Sequence, residues 1–152
     1  MGEAARLFVA PARRRPMLEQ AEVRAIGNLG FEGCVHGRPG SKRQVLLIEG
    51  EALRELGLSP GMVRENITTE GIRLAELEFG KRLRVGEAVL EVTVPCEPCD
   101  HMEAIRPGLK DELRGRRGIL CRVIEGGLIR RGDAVDVIDL AAARKEDSEG
   151  GA

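Results

Sequence analysis

The chain has no tryptophan, no tyrosine and only three phenylalanines in 152 residues. A core must therefore be built from Leu, Val, Ile and Ala, and the aromatic platforms on which single-stranded nucleic acid stacks are missing. Neither sign of charge dominates. Lys and Arg number 24 and Asp and Glu 25, a net charge of −1, so the molecule as a whole offers no bulk attraction to nucleic acid. No apolar run approaches the roughly 20 residues that span a bilayer. The N-terminus lacks the charged-then-apolar order of a signal peptide. These absences predict a cytoplasmic protein that engages neither membrane nor nucleic acid. Thiols stay reduced there, so the four cysteines are expected to be free, metal-bound or reactive, not a disulfide framework.

Glycine is plentiful. Twenty glycines and seven prolines break the chain into short β-rich runs, the pattern of an all-β sandwich or barrel. The length suits one domain, placed at 1–140, with a charged, glycine-ended tail over 141–152. Strands are expected at residues 5–10, 20–26, Gln44–Ile48, Gly118–Ile124 and Ala134–Ile138. Lys81–Val85 and Ala88–Val94 form a hairpin across Gly86-Glu87, where glycine in the first loop position suits a type II′ turn. Short helical pieces fit Glu49–Leu56 and Leu109–Arg114, giving a mostly β fold with few helices.

The densest chemistry is Pro95-Cys96-Glu97-Pro98-Cys99-Asp100-His101, at the end of the second hairpin arm. Two thiols and an imidazole there can hold a metal, cycle a disulfide or carry sulfur. Pro98 has no amide donor and fixes φ, which presents Cys99 in a defined direction. A second thiol and imidazole, Cys34 and His36, lie in a glycine-rich loop. Cys34, Cys96, Cys99 and His101 or His36 together offer a tetrahedral zinc set, the basis of an alternative reading as a non-enzymatic, zinc-stapled binding module. Cys121 alternates with Ile119 and Val123 and belongs in a core. Five basic clusters, Arg13-Arg14-Arg15, Lys42-Arg43, Lys81-Arg82, Arg116-Arg117 and Arg130-Arg131, are either solvated surface or partners that converge on a small anion.

Longer phrases succeed one another in a telling order. They are Gly30-Phe31-Glu32-Gly33-x-x-His36, Arg43-Gln44-Val45, Pro60-Gly61-x-x-Arg64-Glu65-Asn66-Ile67-Thr68-Thr69-Glu70-Gly71, Leu83-x-Val85-Gly86, Pro98-Cys99, Gly118-Ile119 and Gly126-Gly127 through Gly132-Asp133-x-Val135. This order resembles the MOSC domain, named for the C-terminal domain of molybdenum-cofactor sulfurases, in a small stand-alone bacterial form. The resemblance spans about residues 5–138. It implies a β-barrel with a few short helices and a molybdenum or tungsten pterin cofactor. By resemblance Cys99 is the functional cysteine, which either ligates the metal or carries a persulfide. Arg43 and Arg64 are then candidates for the anionic phosphate of the cofactor, since guanidinium matches phosphate bidentately. Asn66 and His36 complete the expected cofactor site.

The resemblance further implies cofactor sulfuration or reduction of N-hydroxylated compounds, with a cysteine desulfurase as sulfur donor and pyridoxal phosphate binding among the associated properties. Two departures stand out. Cys34 occupies the place of an expected acid in the glycine-rich loop, and Arg64 precedes the Glu-Asn pair where glycine is usual.

Overall fold

A computed structural model describes residues 2–138; the expected tail at 141–152 lies outside the described residues. Strand β1 (Gly2–Val9) is followed by β2 (Leu18–Gln20), β3 (Glu22–Ile26) and a two-residue β4 (Gly30–Phe31). The single strand expected at 20–26 is thus two, because the chain leaves β1 at Gln20 and joins a different sheet from Glu22. Next come β5 (Val45–Glu49), helix α1 (Gly50–Glu55) and β6 (Ile67–Glu70). The helix is the crossover that lets β5 and β6 pair in parallel. Then come β7 (Arg82–Val85), β8 (Ala88–Pro95), the short helices α2 (Asp100–Ile105) and α3 (Leu109–Glu112), β9 (Ile119–Glu125), β10 (Gly127–Arg130) and β11 (Ala134–Ile138).

Seven strands run β11-β7-β8-β9-β5-β6-β1, and β1 pairs back to β11, which closes a barrel. Closure removes the exposed strand edges an open sheet would carry. β2 hangs from β1, and β10-β3-β4 form a separate three-stranded sheet. The barrel interior is aliphatic, as the shortage of aromatics requires: Leu7, Leu47, Leu83 and Leu90 are fully buried, with Phe31 the one large ring among them. Cys121 is in this core, and burial pushes its thiol up. At the β7–β8 reversal Gly86 takes φ +55°, whereas Glu87 is not among the positive-φ residues. That is the type II′ pattern expected from the sequence.

A second, smaller core sits at one end of the barrel. Leu53 and Leu58, from α1 and the turn after it, meet Met102, Leu109 and Leu113 over Ile48 and Val63. It is this cluster that fixes α2, a helix without a clear pattern in the sequence. Only Met102 and Ile105 among its six residues pack into the cluster, too few for a readable period.

Candidate functional site

The site is built where β8 stops. Within β8, Leu90 and Val92 are buried, while Glu91 takes Arg122 and Arg82 in ion pairs. The pairing with β9 then slips: Val92 faces Cys121 but Val94 faces Leu120, so Thr93 is a bulge residue. Bulges bend a strand and re-aim the residues beyond them. Thr93 Oγ1 donates to Leu120 O at 2.9 Å, and the two cysteines lie just past this point. Cys96 N donates to Gly118 O at 3.0 Å, which pins the start of the loop to β9. Cys99 is the residue before α2; its carbonyl accepts from Met102 N at 2.9 Å, and its side chain is exposed.

Cys99 opens on a cleft of about 1260 Å³. His36, Arg43, Arg64, Asn66, Cys96 and His101 line the same cleft, so the chain brings together every candidate named from sequence except Cys34. Four more arginine positions, Arg13, Arg14, Arg15 and Arg38, enter from the loops after β1 and β4, and Arg117 from the turn just before β9. Among the described residues, seven arginines and both histidines thus face this space, and no carboxylate does.

Arg117 joins Arg43 and Arg64 in the cleft, although the sequence marks it only as half of a basic pair. It is 6% exposed; Nη2 donates to Val63 O at 2.7 Å, and Nε and Nη1 have no partner among the described residues. Its position is set by Gly118, which takes φ +109°. A Cβ on Gly118 would sit 2.2 Å from Leu47 O, so only glycine lets β9 approach β5 here. The signal was present as Arg116-Arg117-Gly118, but nothing in the sequence tells which of two neighbouring arginines turns inward.

Asn66 is fully buried and its amide is engaged. Oδ1 accepts from Leu46 N at 3.0 Å; Nδ2 donates to Phe8 O at 3.2 Å and to Cys34 Sγ at 3.3 Å. It ties β1, β5 and the glycine-rich loop together. Glu65, also buried, accepts from Gly61 N at 2.9 Å and Thr68 Oγ1 at 2.6 Å. Arg64 holds φ +66°, uncommon outside glycine, and its Nη1 donates to Arg15 O at 2.7 Å.

Cys34 stands behind the cleft wall. Ala10 N donates to its Sγ at 3.4 Å, beside the Asn66 contact. Burial pushes this thiol up, but hydrogen bonding from His36 and from Ala10 N outweighs burial and brings it down to about 7. Cys96 goes the other way: burial pushes it up, and the charges of Arg117 and Arg43 only partly offset that. The expected zinc site is not assembled. Among the described residues no group of three or more His, Cys, Asp or Glu side chains could hold a metal, and the Cys34 sulfur takes its contacts from Ala10 N and Asn66 Nδ2 instead.

Comparison with known proteins then fixes the family. The family model for the MOSC domain matches residues 35–136, from the glycine-rich loop to the last strand. The chain belongs to the MOSC domain family. Among solved structures it is similar to the YUAD protein from Bacillus subtilis, with a TM-score of 0.74, 19% identity, 90% of this chain and 96% of that one covered. It is also similar to YiiM from Geobacillus stearothermophilus (TM-score 0.73, 18% identity, 91% and 76% covered). YiiM from Escherichia coli gives a TM-score of 0.69 at 20% identity, with 91% and 70% covered. At these identities the likeness shows the shared fold. No curated protein sequence matches the chain. MOSC domains are associated with the molybdenum cofactor. No helix among the described residues is long and apolar enough to cross a membrane.

Proposed function

We propose that the cleft binds a molybdenum- or tungsten-type pterin cofactor and that Cys99 is its reacting thiol. One observation carries this: an exposed thiol opens on a cleft lined, among the described residues, by seven arginines and no carboxylate. The residues fit such a group on their chemistry. Guanidinium groups that have no internal counter-ion are suited to a phosphate, and thiolate sulfur is a soft ligand for a metal. Arg43, Arg64 and Arg117 would hold the anionic part, His36 and His101 would add donors, and Cys99 would present the sulfur. When bound, the cofactor supplies a metal centre able to exchange oxygen or sulfur. The chain's own part is to screen the anion's charge, to aim Cys99 from the bulged end of β8, and to keep competing carboxylates out.

Cys34 and Asn66 act at one remove. With its thiol near 7, Cys34 carries part of a negative charge at neutral pH, in the position where related chains have an acid. Asn66 holds it against β1.

Reconstitution with the isolated cofactor, followed by native mass spectrometry, tests the reading. Wild type is expected to retain a pterin adduct. Cys99→Ser is expected to lose it, or to hold it without metal-dependent activity, at an unchanged Tm because the side chain is exposed. Full activity in Cys99→Ser would overturn the role of the thiol, and absence of any adduct on wild type would overturn the cofactor.

A second reading is favoured by the exposure of Cys99. A thiol open to solvent can accept a sulfane sulfur as a persulfide and hand it on, which suits a carrier in cofactor sulfuration.

A further inference from the structure

We propose that the arginine cleft is a binding site for a sulfane-sulfur oxyanion of the thiosulfate type, held by Arg117 and Arg43, and that this anion donates its outer sulfur to Cys99. The inference rests on the sulfur-carrier reading of Cys99 and names its donor.

A thiolate attacking a dianion suffers charge repulsion at every step of approach. A site that performs this reaction must supply cations, exclude carboxylates and expose the nucleophile. The cleft does all three. Its cations are guanidinium groups, which match tetrahedral oxyanions better than ammonium groups do.

Arg117 makes this a built site and not merely a basic surface. Its charge is taken out of water, yet its one hydrogen-bond acceptor is a neutral carbonyl, Val63 O. Two of its three nitrogens have no partner among the described residues, and no carboxylate there lies within ion-pair distance. Burying such a group costs several kcal/mol, by order of magnitude, unless an anion joins it. Elsewhere in this molecule arginines have that anion from the protein: Arg122 has Glu91 and Arg116 has Glu55. Arg117 borders both the cleft and a smaller cavity of about 280 Å³ that Glu49 and Glu97 also line, yet neither carboxylate pairs with it, and we assign its missing anion to the larger cleft. Arg43, just ahead of β5, is exposed and lines the same cleft. Arg117 and Arg43 line the cleft together with Cys96 and Cys99, and the charges of both act on Cys96. Burial pushes the Cys96 thiol up, which disfavours its reactive thiolate form.

The step balances without another reactant. The Cys99 thiol gives its proton to solvent, and the thiolate attacks the outer sulfur of the donor. A Cys99 S–S bond forms, the donor's S–S bond breaks, and its electron pair leaves with sulfite. The outer sulfur keeps its sulfane oxidation state, now as the persulfide, and the total charge of the reacting anions is unchanged. The guanidinium groups hold the sulfonate oxygens before and after transfer.

The experiment uses the full, reduced chain mixed with thiosulfate or with a neutral organic trisulfide, whose central sulfur Cys99 would take as a mixed trisulfide with release of one organic thiolate. It measures sulfite release and the mass of the Cys99 peptide. Wild type is expected to release one sulfite per chain and gain one sulfur on Cys99, with sulfate as a competitor. Arg117→Met should slow loading from dilute thiosulfate by about tenfold or more, the value of a lost charge-assisted hydrogen bond. Its reaction with the neutral trisulfide, which carries no charge for Arg117 to hold, should fall by far less. Arg43→Met, at an exposed position, provides the same comparison should Arg117→Met fail to fold. Loading by trisulfide but not by thiosulfate would overturn the donor and leave the carrier reading standing. Loading by neither would overturn both. Equal thiosulfate rates in wild type, Arg117→Met and Arg43→Met would overturn the site.

Discussion

Arginines on the outside of this barrel are paired, and those in the cleft are not. Arg6, Arg24, Arg54, Arg73, Arg82 and Arg106 each meet a glutamate, as do Arg116, Arg122, Arg130 and Arg131, while Arg114 meets Asp111. None of these lines the cleft, and none of the seven that do has a carboxylate partner among the described residues. The same side chain is therefore used in two ways. Outside, each charge is neutralised locally, which suits solubility and adds little stability. Inside, charge is left over for a ligand. A near-neutral chain can thus own a strongly cationic site, which a net charge of −1 conceals.

The comparison is sharpest where stability and binding separate. The largest expected effect on folding comes from the apolar cluster that supports the cleft. Met102→Ala removes a buried side chain from the second core and should cost about 2–5 kcal/mol. Denaturant melts measure this, and the loss of α2 should also blunt the reaction at Cys99.

Arg117→Met and Arg122→Met come next, because they should move stability in opposite directions. Removing Arg122 takes one of two partners from the half-buried Glu91 and should cost about 1 kcal/mol. Removing Arg117 relieves an unpaired buried charge, so its Tm should equal or exceed that of wild type while anion binding falls. A large loss of stability in Arg117→Met would break the contrast, since it would show the guanidinium to be structural.

Cys34 gives a smaller effect, read in pH. Its folded pKa of about 7 lies below the ordinary thiol value of 9.0. The thiolate therefore stabilises the fold fully above about pH 9, and this contribution disappears as pH falls through 7. Alkylation of Cys34 should rise with a midpoint near pH 7, and His36→Ala should move that midpoint upward. An unmoved midpoint would remove His36 from the account.

The smallest effect is expected on the outer face. Arg54 and Glu70 form a two-pronged pair at 2.8 and 2.7 Å, which holds the Glu70 carboxyl below its usual range. Arg54 is exposed, so Arg54→Ala should barely change stability and should leave anion binding alone. A loss of binding there would mean the two populations of arginine are not separate.

Much of the architecture was legible along the chain. The β7–β8 hairpin, the buried β5 run, β11 and the strand-end cysteines all declare themselves through alternation and turn residues. Elements that depend on distant partners did not. β4 has two residues and exists only because β3 receives it. β10 was hidden by the glycines at its start, and α2 by its shortness. Sequence alone also gathered Cys34 with the other thiols into a zinc set, because spacing cannot show that Asn66 and Ala10 hold it on a different wall.

By itself the sequence determined a mostly β domain of MOSC type, with an aliphatic core and a reactive-looking thiol after a strand. Local periodicity and the order of short phrases are enough for that. Only the tertiary structure decided which basic clusters converge. Arg13-Arg14-Arg15, Arg43 and Arg117 reach the cleft, whereas Arg82, Arg130 and Arg131 are spent on glutamates. Even neighbours part: Arg116 turns out to Glu55 and Arg117 turns in. The reason is geometric. A side chain's direction is set by the strand, turn or loop that holds it, and its partners come from segments far away in the chain.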